Sequence, residues 1–132
     1  RDIGPRDIEN NSCVLVSRVS REKKVVSLDN IMAEVENMLE QVHGELVERA
    51  RKNLAEKTHV AKTYDEFLDV AENNPGFIQA MWCGDVECED KLKDVTGGVK
   101  SRCIPFNEEK LSDKCVCCGK PAKHMVVWGR QY

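Results

Sequence analysis

The residues with the most specific chemistry are Cys83 and Cys88, with four residues between them, and the run Cys115-Val116-Cys117-Cys118-Gly119, with 26 residues between it and Cys88. A d¹⁰ cation such as zinc takes four soft donors at the corners of a tetrahedron, and two short cysteine loops supply two edges of it. Gly119 follows the second group, and glycine tolerates the left-handed turn that aims backbone N–H groups at thiolate sulfurs. A two-residue spacer pairs Cys115 with Cys118. Pairing Cys115 with Cys117 would make a tighter loop, so Cys117 is expected to point away, half exposed. The count of seven cysteines is odd, and no secretory signal stretch is visible, so a disulfide framework is not expected. Cys13 and Cys103 sit in alternating apolar runs and read as small core residues. His43, His59 and His124 are scattered singly and read as surface or packing histidines.

The elements that must hold these cysteines can be read in chain order. Residues 1–12 contain a Gly-Pro break and a polar Asn-Asn-Ser turn. Cys13–Val19 and Lys24–Leu28 predict two strands of a hairpin, which cannot bury its apolar face alone. Ile31, Val35, Met38, Leu39, Val42, Leu46, Ala50 and Leu54 then recur at helical spacing, predicting one long helix to about residue 57, capped by Asp29 or Asn30. Its opposite face is densely charged and reads as solvated, the alternative being a basic end at Arg49–Lys62 near a phosphate backbone. Thr63 and Glu66 form a capping box for a short helix packing Phe67, Leu68 and Ala71. Phe77–Trp82 predicts a strand that delivers Cys83. Asp85 caps a helix over Val86–Val95, placing Cys88 in its first turn, where the positive end of the helix favours a thiolate. Val99–Phe106 predicts an edge strand, residues 107–114 a charged loop, and Lys123–Trp128 the last strand.

The totals limit the functional classes. Aromatic residues make up only 5% of the 132, so the core rests on aliphatic side chains and gains from a metal staple. A net charge of −3 gives no global basic field for nucleic acid, so any RNA contact must be local. No run is apolar and long enough to span a membrane. The chain starts at Arg1 without a methionine and is expected to be the C-terminal part of something longer.

Four strings taken together resemble the prolyl-tRNA synthetase family, in the form with an archaeal- or eukaryote-like C-terminal extension. They are Gly4-Pro5-Arg6-Asp7, Trp82-Cys83-Gly84-Asp85 with Cys88-Glu89, Ser101-Arg102-Cys103-Ile104-Pro105-Phe106, and Cys118-Gly119-Lys120-Pro121 ahead of the terminal Tyr132. The resemblance runs through essentially the whole chain. It implies an α+β chain in three parts: residues 1–30 as the closing hairpin of an α/β anticodon-binding domain, 31–57 as a connecting helix, and 58–132 as a small zinc-bound domain with a short antiparallel sheet. It implies Cys83, Cys88, Cys115 and Cys118 as zinc ligands, with Cys115–Cys117 pairing left open beside that set. It also implies Arg6, Asp7 and Lys23 as contacts to the anticodon of tRNA(Pro), and a Tyr132 carboxylate that reaches towards the catalytic domain. The parent enzyme would be an ATP-dependent proline–tRNA ligase, cytoplasmic and homodimeric. No class II motif and no phosphate-binding glycine loop stands in this sequence, so ATP and magnesium would belong to a separate catalytic domain. Two rival readings are a free-standing zinc-binding adaptor for RNA or protein, and a thiol redox protein using Cys115, Cys117 and Cys118.

Overall fold

The computed structural model describes residues 3–131, which divide into two compact units meeting between Asn53 and Leu54. In the first, helix α1 (Pro5–Glu9) leads into strands β1 (Ser12–Val16) and β2 (Lys23–Ser27), an antiparallel hairpin with Cys13 opposite Val26 and Leu15 opposite Lys24. The expected break at Gly4-Pro5 is instead the start of α1. Pro5 suits the first helical position, where no N–H is needed, and the Asp7 carboxylate accepts the Gly4 N–H at 2.8 Å. Long helix α2 (Ile31–Glu56) follows a single 3₁₀ turn, Leu28–Asn30. Ser27 caps that 3₁₀ turn, its hydroxyl accepting the Asp29 N–H at 3.3 Å. Cys13, Leu15 and Val26 are buried, with Leu28, Ile31, Val35 and Met38 packed on them. Further along the same helical stripe, Leu39, Leu46 and Leu54 are exposed.

In the second unit a four-stranded sheet runs in the order β3 (Thr58–Val60), β4 (Phe77–Trp82), β6 (His124–Arg130), β5 (Val99–Cys103). Helix α3 (Tyr64–Asn73) connects β3 to β4, and helix α4 (Val86–Thr96) connects β4 to β5. The fold is α+β as expected, and the sheet holds one parallel pair besides its antiparallel ones. β3 pairs parallel with β4, and the intervening α3 is the crossover that parallel pairing requires. That pairing starts where the Phe77 N–H donates to the Lys57 carbonyl at 2.8 Å. A Cβ on Gly76 would lie 2.1 Å from that same carbonyl oxygen, so the close approach needs glycine. The capping box is present: the Thr63 hydroxyl accepts from the Glu66 N–H at 3.3 Å, and the Glu66 carboxylate accepts from the Thr63 N–H at 3.4 Å.

Trp128 on β6 is the largest fully buried side chain. Phe67 of α3 and Trp82 of β4 both meet it edge-on, with ring centroids at 5.7 and 6.5 Å. Ile78, Ala80, Leu92, Val99 and Val126 belong to the same core. At the far end of β6 the Arg130 guanidinium donates to the carbonyls of Ala71 at 3.3 Å and Thr96 at 3.1 Å, satisfying the C-terminal ends of α3 and α4. The Gln131 N–H donates to the Gly98 carbonyl at 3.1 Å. Phe67→Ala should therefore cost about 3–5 kcal/mol, as buried aromatic truncations do. Phe106→Ala, at a fully exposed ring, should stay within about 0.5 kcal/mol. Urea midpoints of the two variants check this, and equal midpoints would refute the placement of the core.

Candidate metal centre

Two loops of the second unit, with 26 residues between Cys88 and Cys115, form the centre. β4 delivers Cys83, and Gly84, at φ +91°, turns the chain into α4. The Asp85 carboxylate caps α4 by accepting the Glu87 N–H at 3.2 Å, and its carbonyl accepts from the Trp82 indole at 3.0 Å. Cys88 thus sits in the first helical turn, its own N–H donating to the Asp85 carbonyl at 3.2 Å. The second loop is sewn onto β4 by its backbone. Val116 N–H donates to the Met81 carbonyl at 2.9 Å, and Lys123 N–H to the Trp82 carbonyl at 2.8 Å. Within that loop Gly119 N–H donates to the Cys115 carbonyl at 3.0 Å, with Gly119 at φ +70°.

The four sulfurs of Cys83, Cys88, Cys115 and Cys118 all lie within 4.8 Å of one another. The Cys83–Cys88 and Cys83–Cys118 separations are 3.7 Å each. A tetrahedral ion with metal–sulfur bonds of ~2.3 Å would place its sulfurs about 3.8 Å apart. The donor set, the spacing and the burial therefore fit a tetrahedral metal ion, and the four cysteines could hold one. Cys83, Cys88 and Cys115 are buried, and Cys118 is exposed.

Electrostatics give the same picture. Burial pushes the Cys83 and Cys88 thiols up. At Cys118 burial also raises the thiol, but hydrogen bonds from the Lys120 backbone and from Cys88, Cys115 and Cys83 outweigh it and bring the thiol down to about 7. One proton leaves such a cluster readily; four thiolates this close need a cation to neutralise them.

Cys117 is half-buried and packs against the cluster of Cys83, Cys88 and Cys115. Burial raises its thiol as well, while its contact with Cys88 and the charge of Lys91 act in the opposite direction. The Lys91 ammonium lies 5.5 Å from the centre of the Tyr64 ring. Cys13 is buried in the hairpin, as expected. Cys103 is not: it is exposed. A bulge between Ser101 and Cys103 breaks the alternation of β5, so that Ser101 stands opposite Trp128 but Cys103 opposite Val127, on the other face of β6. None of the three histidines joins the sulfur cluster. His124 places Nδ1 3.4 Å from the Glu108 carboxylate, which also accepts the Met125 N–H at 3.0 Å. The backbone stitches at Met81 and Trp82 carry no side-chain signal and were not legible in the sequence.

Of the other candidate residues, Arg6 is exposed in α1, and Asp7 is half-buried, holding the turn at Gly4. Lys23 opens β2 opposite Val16 and is exposed. Tyr132 lies outside the described residues.

A family model described as "Prolyl-tRNA synthetase, C-terminal" matches residues 64–132. The chain is 58% identical over 131 residues to a proline–tRNA ligase of Clostridium botulinum strain 657, covering 99% of this chain and 27% of the relative. It is 53% identical over 131 residues to a proline–tRNA ligase of Lachnospira eligens, with the same coverage. The chain thus spans about a quarter of the length of the curated relatives it matches. Among solved structures, a prolyl-tRNA synthetase of Cryptosporidium parvum, complexed with L-proline and AMP, superposes with a TM-score of 0.89 at 32% identity. That match covers 98% of this chain and 28% of the other.

Burial separates the thiols into classes that a mass-mapped alkylation time course can read. Cys103 should be modified fast in the folded protein and Cys13 slowly. Added metal should slow modification of the four clustered thiols, least at exposed Cys118, and a chelator should expose them. Cys103 reacting no faster than Cys13 would contradict the bulge and edge placement of β5.

Proposed function

The chain belongs to the prolyl-tRNA synthetase family, over that family's C-terminal region, and from that premise we propose that it serves a proline–tRNA ligase as tRNA-selecting surface and structural support. The observation that carries this reading is a likeness extending over 99% of the chain at more than half identity. The division of labour is the one expected from the sequence: residues 1–30 close an anticodon-binding domain, 31–57 connect, and 58–132 form a metal-stapled domain. ATP, magnesium and proline act on a catalytic domain elsewhere in the parent enzyme, a cytoplasmic homodimer. None of the described helices is long and apolar enough to cross a membrane.

The metal is zinc, held by Cys83, Cys88, Cys115 and Cys118. It does no redox work; when bound it supplies charge neutralisation and four fixed bonds. The lean aliphatic core around it supports that role, because such a staple can contribute on the order of 10 kcal/mol in small zinc domains. The cysteines thereby hold the end of β4, the start of α4 and the loop before β6 as one body.

Arg6, Asp7 and Lys23 meet the anticodon of tRNA(Pro). Exposed Arg6 is suited to the Hoogsteen edge of an unstacked guanine, and a carboxylate can accept from guanine N1 and N2 hydrogens. Asp7 also holds the turn that presents Arg6, through its bond to the Gly4 N–H. Lys23 supplies a charge for the backbone. Arg6→Ala in the full-length enzyme should weaken tRNA(Pro) binding on the order of tenfold, the loss of one base contact. Proline-dependent ATP–pyrophosphate exchange should be unchanged. Equal loss in both assays would point to a folding defect and count against the anticodon role.

Tyr132 docks towards the catalytic domain. Its ring can bury while its carboxylate takes a salt bridge or backbone N–H groups. The support is the firm hold on what precedes it, through Arg130 and Gln131. Deleting Tyr132, or extending the chain beyond it with a tag, should slow proline activation and leave tRNA affinity intact. Unchanged activation kinetics in both variants would reduce Tyr132 to an ordinary chain end.

A further inference from the structure

The metal centre holds a fifth thiol that the four-ligand reading does not use. We propose that Cys117 is a reserve ligand: when the sulfur of Cys118 is blocked or lost, Cys117 takes its corner and the metal stays. This rests on the metal-binding reading of Cys83, Cys88, Cys115 and Cys118.

Three observations carry it. First, the four clustered sulfurs are unequal. Three are buried and Cys118 is exposed, so Cys118 is the one that alkylating and oxidising reagents reach first. Second, Cys117 is the adjacent residue on the same turn, and its side chain already packs on the other three cysteines. It needs no new approach through the protein, only a change of direction. Third, the turn has room to re-form. It closes at Gly119, in the left-handed region, with no heavy atom within 4 Å of where a Cβ would stand, and Cys118, Gly119 and Lys120 are all exposed. The anchors that hold the loop on β4, at Val116 and Lys123, lie outside this pivot and need not move. The exchange replaces one cysteine thiolate by another: the metal–sulfur bond to Cys118 breaks, one to Cys117 forms, and the Cys117 proton leaves to solvent. Charge and electron count at the metal are unchanged.

The test uses the full-length protein with Cys117→Ser, Cys118→Ser and the double substitution. Each is loaded with zinc for metal counting and with cobalt(II), whose thiolate charge-transfer intensity reports the number of sulfur ligands. Cys117→Ser should match the unsubstituted protein. Cys118→Ser should keep one metal and the four-sulfur intensity, with affinity lowered about 10–100-fold, the size of loss that follows disturbed ligand support. The double variant should fall to three-sulfur intensity and bind more weakly than either single variant. Cys118→Ser indistinguishable from the double variant overturns the reserve role, and so does Cys117→Ser losing a sulfur, which would make Cys117 the resident ligand. A protein that binds no metal before substitution overturns the metal reading itself. A second measurement avoids any variant that fails to fold. After limited alkylation of the metal-loaded protein, native mass spectrometry should find molecules modified at Cys118 that still carry the ion. The same molecules made with Cys117→Ser should have lost it, and equal retention in both would refute the proposal.

Discussion

Four sulfurs within 4.8 Å of one another are the constraint around which the second unit is arranged. Neutral thiols can share that space, but four thiolates repel one another strongly where burial has removed water. Burial raises Cys83 and Cys88, and only Cys118, at the surface, is brought down. A bound cation would resolve the conflict by neutralising the charge and setting the sulfur spacing. The protein prepares for this with backbone rather than side chains. The carbonyls of Met81 and Trp82 receive the second loop, and Asp85 fixes the first turn of α4. The two loops therefore meet in a frame that main-chain hydrogen bonds already define.

The sheet transmits that frame to the rest of the unit. β4 ends at the cysteine cluster, begins against the Lys57 carbonyl, and pairs with β6 along its whole length. Trp128 on β6 packs against Phe67 and Trp82, linking the sheet to α3 and to the strand that leads into Cys83. With three tryptophan and phenylalanine rings stacked edge to face, a small core obtains much of its buried area from few residues. Arg130 then joins the ends of α3 and α4 at the far side of the same strand.

The first unit has a different balance. Its hairpin buries Cys13, Leu15 and Val26 against the first turns of α2, while Val16, Val25, Met32 and Leu39 remain exposed. A two-stranded hairpin is marginal without further strands or a helix to cover it, and here α2 covers only one side. This agrees with a chain that spans 27% of the length of its curated relatives.

What the sequence by itself determined is local. The capping box at Thr63, the Asp85 cap, the helical period of α2 and the span of β4 were all legible, because each depends on residues close together in the chain. The spacing of the cysteines belongs with them, since a short loop limits how far apart two sulfurs can lie. Tertiary structure decided the rest. β3 is three residues long and exists because α3 returns the chain parallel to it. Cys103 looked like a core residue by alternation, and a bulge against β6 turned it outward. Helix α1 arose where Gly4-Pro5 suggested only a break, because Asp7 closes its first turn. The unequal burial of Cys118 and its three partners was likewise invisible in the spacing, for exposure depends on which distant strands come to lie over a side chain.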